Sequence, residues 1–322
     1  MVRVLFSCPS CARHIRTTEV ACPFCGGVVA EGAGAIPARA WGGPAPMTRA
    51  AILLATAAVT AGCGKETKPP ETSDAGMMVV NLRDAGVIIT CNTQINRLSM
   101  TELPKILDRM IAVGARAWQI QLTVPMGRAA DEPDVLLQPF DLDEVFPMLA
   151  ELIPRARASG IEVVSGNNIG YFGPYENILR GRTLCGHSSG CGAGRVSMGI
   201  EADGTIKGCP SLATSTWSGG TVRERSLREI WERATALRYT RDRTTTDLWG
   251  FCATCYYADD CKAGCTWTAD SLFGKPGNNP YCHHRVLEMK RAGTRERVVR
   301  VEEAPGEPFD RGKFELIVEP WA

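Results

Sequence analysis

The stretch Cys252–Cys265, CATCYYADDCKAGC, constrains this chain more than any other, because it places four thiols at C-x2-C-x5-C-x3-C spacing. Thiols this dense close either disulfides or metal sites. Cys185, Cys191, Cys209 and Cys282 flank the stretch, so the region holds enough thiols for two complete four-cysteine sites. Soft thiolates select zinc or iron–sulfur clusters, and spacing alone does not choose between them. C-x2-C pairs and tight clusters favour metal in a reducing compartment over a disulfide framework.

A second set lies near the N-terminus. CPSC and CPFC supply Cys8, Cys11, Cys22 and Cys25, a pair of knuckles able to close a tetrahedral four-cysteine zinc site. Residues 1–30 are too few to fold on an apolar core, so a zinc-ribbon-like module stabilised by Zn2+ is expected there. Residues 31–76 read as a linker, rich in Ala, Gly and Pro at first and polar at its end. Within it, residues 47–63 carry Arg49 followed by a short apolar run and Ala61-Gly62-Cys63. The run is too short to span a bilayer but suits a signal-peptide core. Ala61-Gly62-Cys63 resembles a lipoprotein lipobox, with Thr60 where that motif prefers Leu. An export signal, a membrane anchor and a plain buried helix all remain open for this segment. The expected location is cytoplasmic, the alternative being membrane attachment through 47–63. With 44% apolar residues, 22% charged and a net charge of +1, the chain can bury a core and shows no sign of a general nucleic-acid partner.

From residue 77 the pattern is α/β. A β-branched strand is expected over Val87–Cys91. A helix with Leu103, Ile106, Leu107, Met110 and Ile111 on one face follows, stopped by Gly114. A strand then alternates Trp118, Ile120, Leu122 and Val124. A second helix begins near Asp141 with the stripe Leu142, Val145, Phe146, Leu149, Leu152, Ile153 and Ala156, and Ile161–Ser165 gives a third strand. This order implies parallel strands with right-handed crossovers. Ligands in such folds bind at the carboxyl ends of strands. Asn92, Gln119, Gln121, Arg128, Asn167 and Asn168 lie on or after the strands, and Asn92, Gln121, Arg128 and Asn167 are the candidate cofactor contacts. Each also reads as an ordinary polar or turn residue. Trp118, Trp231, Trp249 and Trp267 read as packing, Gly166, Gly170 and Gly173 as turn formers, and His283 and His284 as polar surface. Beyond residue 181 the chain is loop-rich. A hairpin turning at Asp203-Gly204 is expected within Ser197–Cys209, a capped helix over Ser226–Leu237, and a charged tail over 292–322.

The distal cysteines resemble the SPASM domain that follows many radical S-adenosylmethionine enzymes. Its signature runs from one cysteine to Gly-x4-Cys, to C-x2-C-x5-C-x3-C, to a last cysteine. Cys191, Gly204 with Cys209, the Cys252–Cys265 stretch and Cys282 match every position. The resemblance implies two auxiliary [4Fe–4S] clusters with interleaved ligands: Cys185, Cys191, Cys209 and Cys265 for the first, Cys252, Cys255, Cys261 and Cys282 for the second. Upstream, NTQINRLSMTELPKILDRMIAVGARAWQIQLTVPMGRA and IEVVSGNNIGYFGPYE resemble the second half of a radical S-adenosylmethionine barrel. The implied fold is therefore α/β: half of a partial (β/α) barrel over 77–180, with three parallel strands, then a loop-rich SPASM iron–sulfur domain over 181–291. The three-cysteine motif C-x3-C-x2-C that binds S-adenosylmethionine in that family is not found in the sequence. Cys261-x3-Cys265 begins it, but Thr268 stands at the third position. The resemblance thus implies a truncated or split relative of peptide- and protein-modifying maturases. Peptide or protein is the implied substrate, a partner chain would supply the missing barrel half, and S-adenosylmethionine binding by this chain alone is in doubt. The alternative is a noncatalytic iron–sulfur or zinc protein serving electron transfer or partner binding.

Overall fold

The computed structural model describes residues 5–29, 84–180, 187, 190–307 and 310–322. The 31–76 linker, the 47–63 segment and Cys185 lie outside the described residues.

At the centre is a parallel three-stranded sheet of β3 (Thr90–Ile95), β4 (Ala117–Leu122) and β5 (Glu162–Ser165), in that order. Helix α1 (Leu103–Ala112) connects the first two strands and α2 (Leu142–Ala158) the second and third. Side chains alternate across a strand, so each strand has one face toward the helices. Trp118, Ile120 and Leu122 of β4 and Ile95 and Val163 of its neighbours are buried there against Leu103, Leu107 and Met110 of α1. The whole expected stripe of α2, from Leu142 to Ala156, is buried on the same face. The opposite face is mostly polar, with Val164 exposed on it. Register pairs Asn92 with Gln119 and Gln94 with Gln121, and Asn92, Gln94 and Gln119 are exposed.

The first strand is displaced from its expected position. It runs Thr90–Ile95 instead of Val87–Cys91, and Val87 and Ile88 are exposed. β-Branched composition signals extended chain, but pairing with β4 and the burial of Ile95 set where the ladder forms. Asn92 therefore lies within the strand and not beyond its end.

A second, antiparallel sheet comprises β6 (Gly199–Ile200), β7 (Thr205–Lys207) and β8 (Ser218–Thr221). The expected turn is present: the Thr205 amide donates to Asp203 Oδ1 at 2.8 Å. The helix expected over Ser226–Leu237 is two helices, α3 (Leu227–Arg233) and α4 (Thr235–Asp242). Ser226 caps the first, its hydroxyl accepting the Glu229 amide at 3.2 Å. Ala234 leaves helical geometry at φ −69°, ψ 118°. This corner brings Ile230 and Leu237 from both helices onto Ile206.

Residues 292–322, expected as a tail, form a long antiparallel hairpin of β9 (Thr294–Glu302) and β10 (Lys313–Pro320). Val298 and Phe314 enter the main core. Gln138 brackets Val298, accepting its amide at 2.7 Å and donating to its carbonyl at 3.1 Å. Arg285, on helix α5 (His283–Arg291), is buried and paired with Glu296 of β9 through two contacts of 2.5 and 2.6 Å. The alternating Arg and Glu of TRERVVRVE hides the apolar alternation that would have marked a strand.

At the N-terminus, β1 (Leu5–Ser7) and β2 (His14–Arg16) form a small antiparallel hairpin. Among the described residues no helix is long and apolar enough to cross a membrane.

Candidate metal centres

The N-terminal knuckles converge on a point. Each closes the same way: the Ala12 amide bonds the Cys8 carbonyl at 2.9 Å, and the Gly26 amide bonds the Cys22 carbonyl at 2.9 Å. The sulfurs of Cys8 and Cys25 lie 3.8 Å apart and those of Cys11 and Cys22 3.7 Å apart. A tetrahedron of Zn–S bonds of about 2.3 Å sets its sulfurs about 3.8 Å apart, so the geometry fits one zinc ion. Burial opposes ionisation of Cys8, but hydrogen bonds from the amides of Cys11 and Ser10 outweigh it and hold that thiol down at about 7. Burial pushes Cys11 up to about 12.

The distal thiols are arranged differently. Cys252, Cys255, Cys261 and Cys282 ring one small cavity, walled by Tyr171, Phe172, Tyr257 and His284. Cys191, Cys209 and Cys265 line a second, larger and more open one, at the end of the parallel sheet. Among the described residues the N-terminal quartet is the one group of ligand atoms lying mutually within 4.8 Å. The distal sets instead surround space, which fits a multinuclear group better than a single ion.

The local chain explains the sorting. Cys261 and Cys265 are near neighbours in sequence but face different cavities. Between them Lys262, Ala263 and Gly264 all take left-handed φ values of 48°, 61° and 59°. Such a run is unfavourable for side-chain-bearing residues and redirects the backbone sharply. Tyr171 locks the turn from behind. The Cys265 amide donates to its hydroxyl at 3.0 Å, and that hydroxyl also donates to the Asn167 carbonyl. Burial pushes the thiols of Cys255 and Cys265 up to about 11 and raises those of Cys209, Cys252, Cys261 and Cys282. Thiols so buried ionise readily only against a cation, so these sites suit bound metal.

Of the candidate cofactor contacts, Gln121 and Asn167 border the three-cysteine cavity. Arg128 lies in a separate open groove with Gln94, Asn96 and Met126, and Trp267 borders both spaces. Asn92 sits exposed on the sheet face and lines neither. Asn168 is structural: its side chain bonds the Leu122 carbonyl at 2.8 Å and tethers the end of β4.

Three features escaped the sequence reading. His283 and His284, expected on the surface, are buried. His283 stacks between Phe146, at 4.6 Å, and Tyr175, at 5.7 Å. Burial of both rings lowers their pKa, to about 4 and about 3. Gly173 is required by close approach, since a Cβ there would lie 2.1 Å from His283 Nδ1. Tyr171 gave no signal at all, because a lone tyrosine in a Gly-rich loop has no pattern to betray it.

Comparison with known proteins agrees with this architecture. Residues 191–256 match the SPASM family, described as an iron-sulfur cluster-binding domain. The chain is 27% identical over 229 residues to an AdoMet-dependent heme synthase of Nitratidesulfovibrio vulgaris, covering 65% of this chain and 57% of that protein. It is 28% identical over 184 residues to Mycofactocin maturase MftC of Mycolicibacterium smegmatis, covering 55% of this chain and 43% of that protein. It is 28% identical over 215 residues to PqqA peptide cyclase of Granulibacter bethesdensis, covering 64% of this chain and 54% of that protein. A solved structure of native anSMEcpe with bound AdoMet overlaps 64% of this chain and 55% of that chain, at 16% identity and a TM-score of 0.47. The chain thus spans between 43% and 57% of the length of these curated relatives. With the cysteine signature, the matched iron–sulfur domain over 191–256 and these curated relatives, the chain is similar to radical S-adenosylmethionine/SPASM proteins.

Proposed function

We propose that this chain is the auxiliary-cluster part of a radical S-adenosylmethionine system that modifies a peptide. In this reading Cys252, Cys255, Cys261 and Cys282 hold one [4Fe–4S] cluster. Cys191, Cys209 and Cys265 hold a second together with Cys185, which lies outside the described residues. Cys8, Cys11, Cys22 and Cys25 hold zinc. The observation that carries the reading is the sorting of seven distal thiols into a set of four and a set of three around separate cavities. Bound clusters would supply sites for single-electron transfer or substrate contact. The chain's own residues bury the ligands, exclude water from the four-cysteine cavity, and present Gln121 and Asn167 beside the three-cysteine one.

A peptide substrate is inferred from the similarity to PqqA peptide cyclase and to MftC. A partner chain is inferred from the sheet. Among the described residues β3 pairs on one side only, with β4. A partner strand along its free edge would extend the sheet and could bring the three-cysteine S-adenosylmethionine site that this sequence does not contain. The lack of C-x3-C-x2-C also favours a second reading, an iron–sulfur protein that transfers electrons or binds a partner without catalysis. One assay separates these. The reduced, cluster-loaded chain should make no 5′-deoxyadenosine from S-adenosylmethionine alone, and should support product formation when a chain bearing C-x3-C-x2-C is added. Product from this chain alone would overturn the split-enzyme reading. No product with any such partner would favour the noncatalytic one.

A further inference from the structure

The N-terminal knuckle does not stand apart from the distal domain. It lies against the wall of the four-cysteine cavity. Phe24, between Cys22 and Cys25, stacks on Tyr257 at 5.8 Å and 22°, and packs edge-on against His284 at 5.5 Å. Both rings line that cavity. The Tyr257 hydroxyl donates to the His14 carbonyl at 2.5 Å. Leu5 is buried in one apolar cluster with Tyr171, Phe172, Tyr257 and Cys261. On this side the aromatic wall has the cysteines on its inner face and the knuckle on its outer face.

The contact is specific in charge as well as shape. Arg13 is buried, lies over the Phe24 ring at 3.9 Å, and pairs with Glu288 at 2.8 Å and with His284. The Arg16 amide and guanidinium bond the hydroxyl and carbonyl of Tyr256 at 2.9 and 2.8 Å, and that hydroxyl donates to Glu19 at 2.9 Å. The knuckle itself has a very small core, built on Ile15, Val29 and the cysteines. A module of this kind holds its shape through its metal.

From this juxtaposition we infer that the N-terminal knuckle is a metal-dependent cap that controls solvent and oxidant access to the Cys252, Cys255, Cys261 and Cys282 site. The inference rests on the reading of that cavity as a cluster site. Loss of the knuckle's ion unfolds the cap and bares the aromatic wall. The Cys191, Cys209 and Cys265 cavity has no knuckle residue in its lining.

The test uses the full chain, kept anaerobic and iron-free and given one equivalent of zinc. Alkylation of each cysteine by iodoacetamide is followed by mass spectrometry. Two variants are compared with the wild type: Arg13→Ala/Arg16→Ala, which retains all knuckle thiols, and Cys8→Ser/Cys25→Ser, which loses the ion. In both, alkylation of Cys252, Cys255, Cys261 and Cys282 should speed up by roughly tenfold, because opening becomes more populated when docking contacts are lost. Rates at Cys191 and Cys209 should not change. Equal rates for the quartet in all three proteins would overturn the cap. A second arm loads iron and measures its release in air, where both variants should lose about half of the iron faster than the wild type. If no protein takes up iron while the alkylation difference remains, the cluster reading fails and the cap stands.

Discussion

Tyr171 and Gly173 show how much of the site rests on single residues with no pattern in the sequence. The cysteines were legible because metal ligation demands thiols at set spacings, and spacing survives in a linear string. The supports are different: Tyr171 earns its place through one hydrogen bond to the Cys265 amide and one to the Asn167 carbonyl. Replacing Tyr171 by Phe leaves the amide unpaired in a buried turn, which should cost about 1–3 kcal/mol. Urea unfolding of the metal-free chain would measure it, and no change in midpoint would show that the turn holds by itself. Gly173→Ala forces a methyl into His283 and should destabilise by about 1–3 kcal/mol, as overpacking does. If that variant matched the wild type, the stacking of His283 between Phe146 and Tyr175 would not be as close as described.

Among the elements, α2 was legible to the residue because its apolar stripe repeats at helical spacing over a long run. The closing hairpin β9–β10 was not. Its strands alternate Arg and Glu, and Arg295 and Arg297 meet Glu319 across the pair at 2.8 and 3.1 Å. Charged cross-strand pairing reads as a solvated tail until the partner strand is known. The hairpin is nonetheless part of the core. Phe314→Ala should cost about 3–5 kcal/mol, whereas Val301→Ala, half-exposed on the same hairpin, should fall within about 0.5 kcal/mol. Equal effects in thermal or urea unfolding would mean that the hairpin is peripheral. The split of the expected Ser226–Leu237 helix was not legible either: helical propensity runs through Ala234, yet that residue leaves helical geometry at ψ 118°.

For the whole molecule, the unexpected feature is the polarity of the open sheet face. A half barrel with an apolar lumen would forfeit several kcal/mol at roughly 25 cal/mol per Å² of buried surface. Here Asn92, Gln94 and Gln119 face outward, so the open face is tolerated in water and the exposed feature is the edge of β3. Hydrogen exchange should therefore alternate along β3, with amides bonded to β4 protected and those on the free edge exchanging fast. Uniform protection in the isolated monomer would show that the edge is already covered and would remove the case for a partner strand. The interleaving of the cysteine ligands belongs to this scale too. Spacing told that two sites' worth of thiols is present; which thiol serves which site is what the family resemblance implies, and it is not legible in spacing because it depends on how the Lys262–Gly264 turn parts its neighbours in space.

The central claim is that the two distal cavities take two separate four-iron clusters. Iron and sulfide counts after anaerobic reconstitution of the full chain and of two variants test it most directly. The wild type should bind about eight irons in the distal domain, and Cys255→Ala and Cys209→Ala should each lose about half, from different clusters distinguishable by their Mössbauer and EPR signals. Stoichiometric zinc in place of iron, or loss of all iron from either single variant, would contradict it.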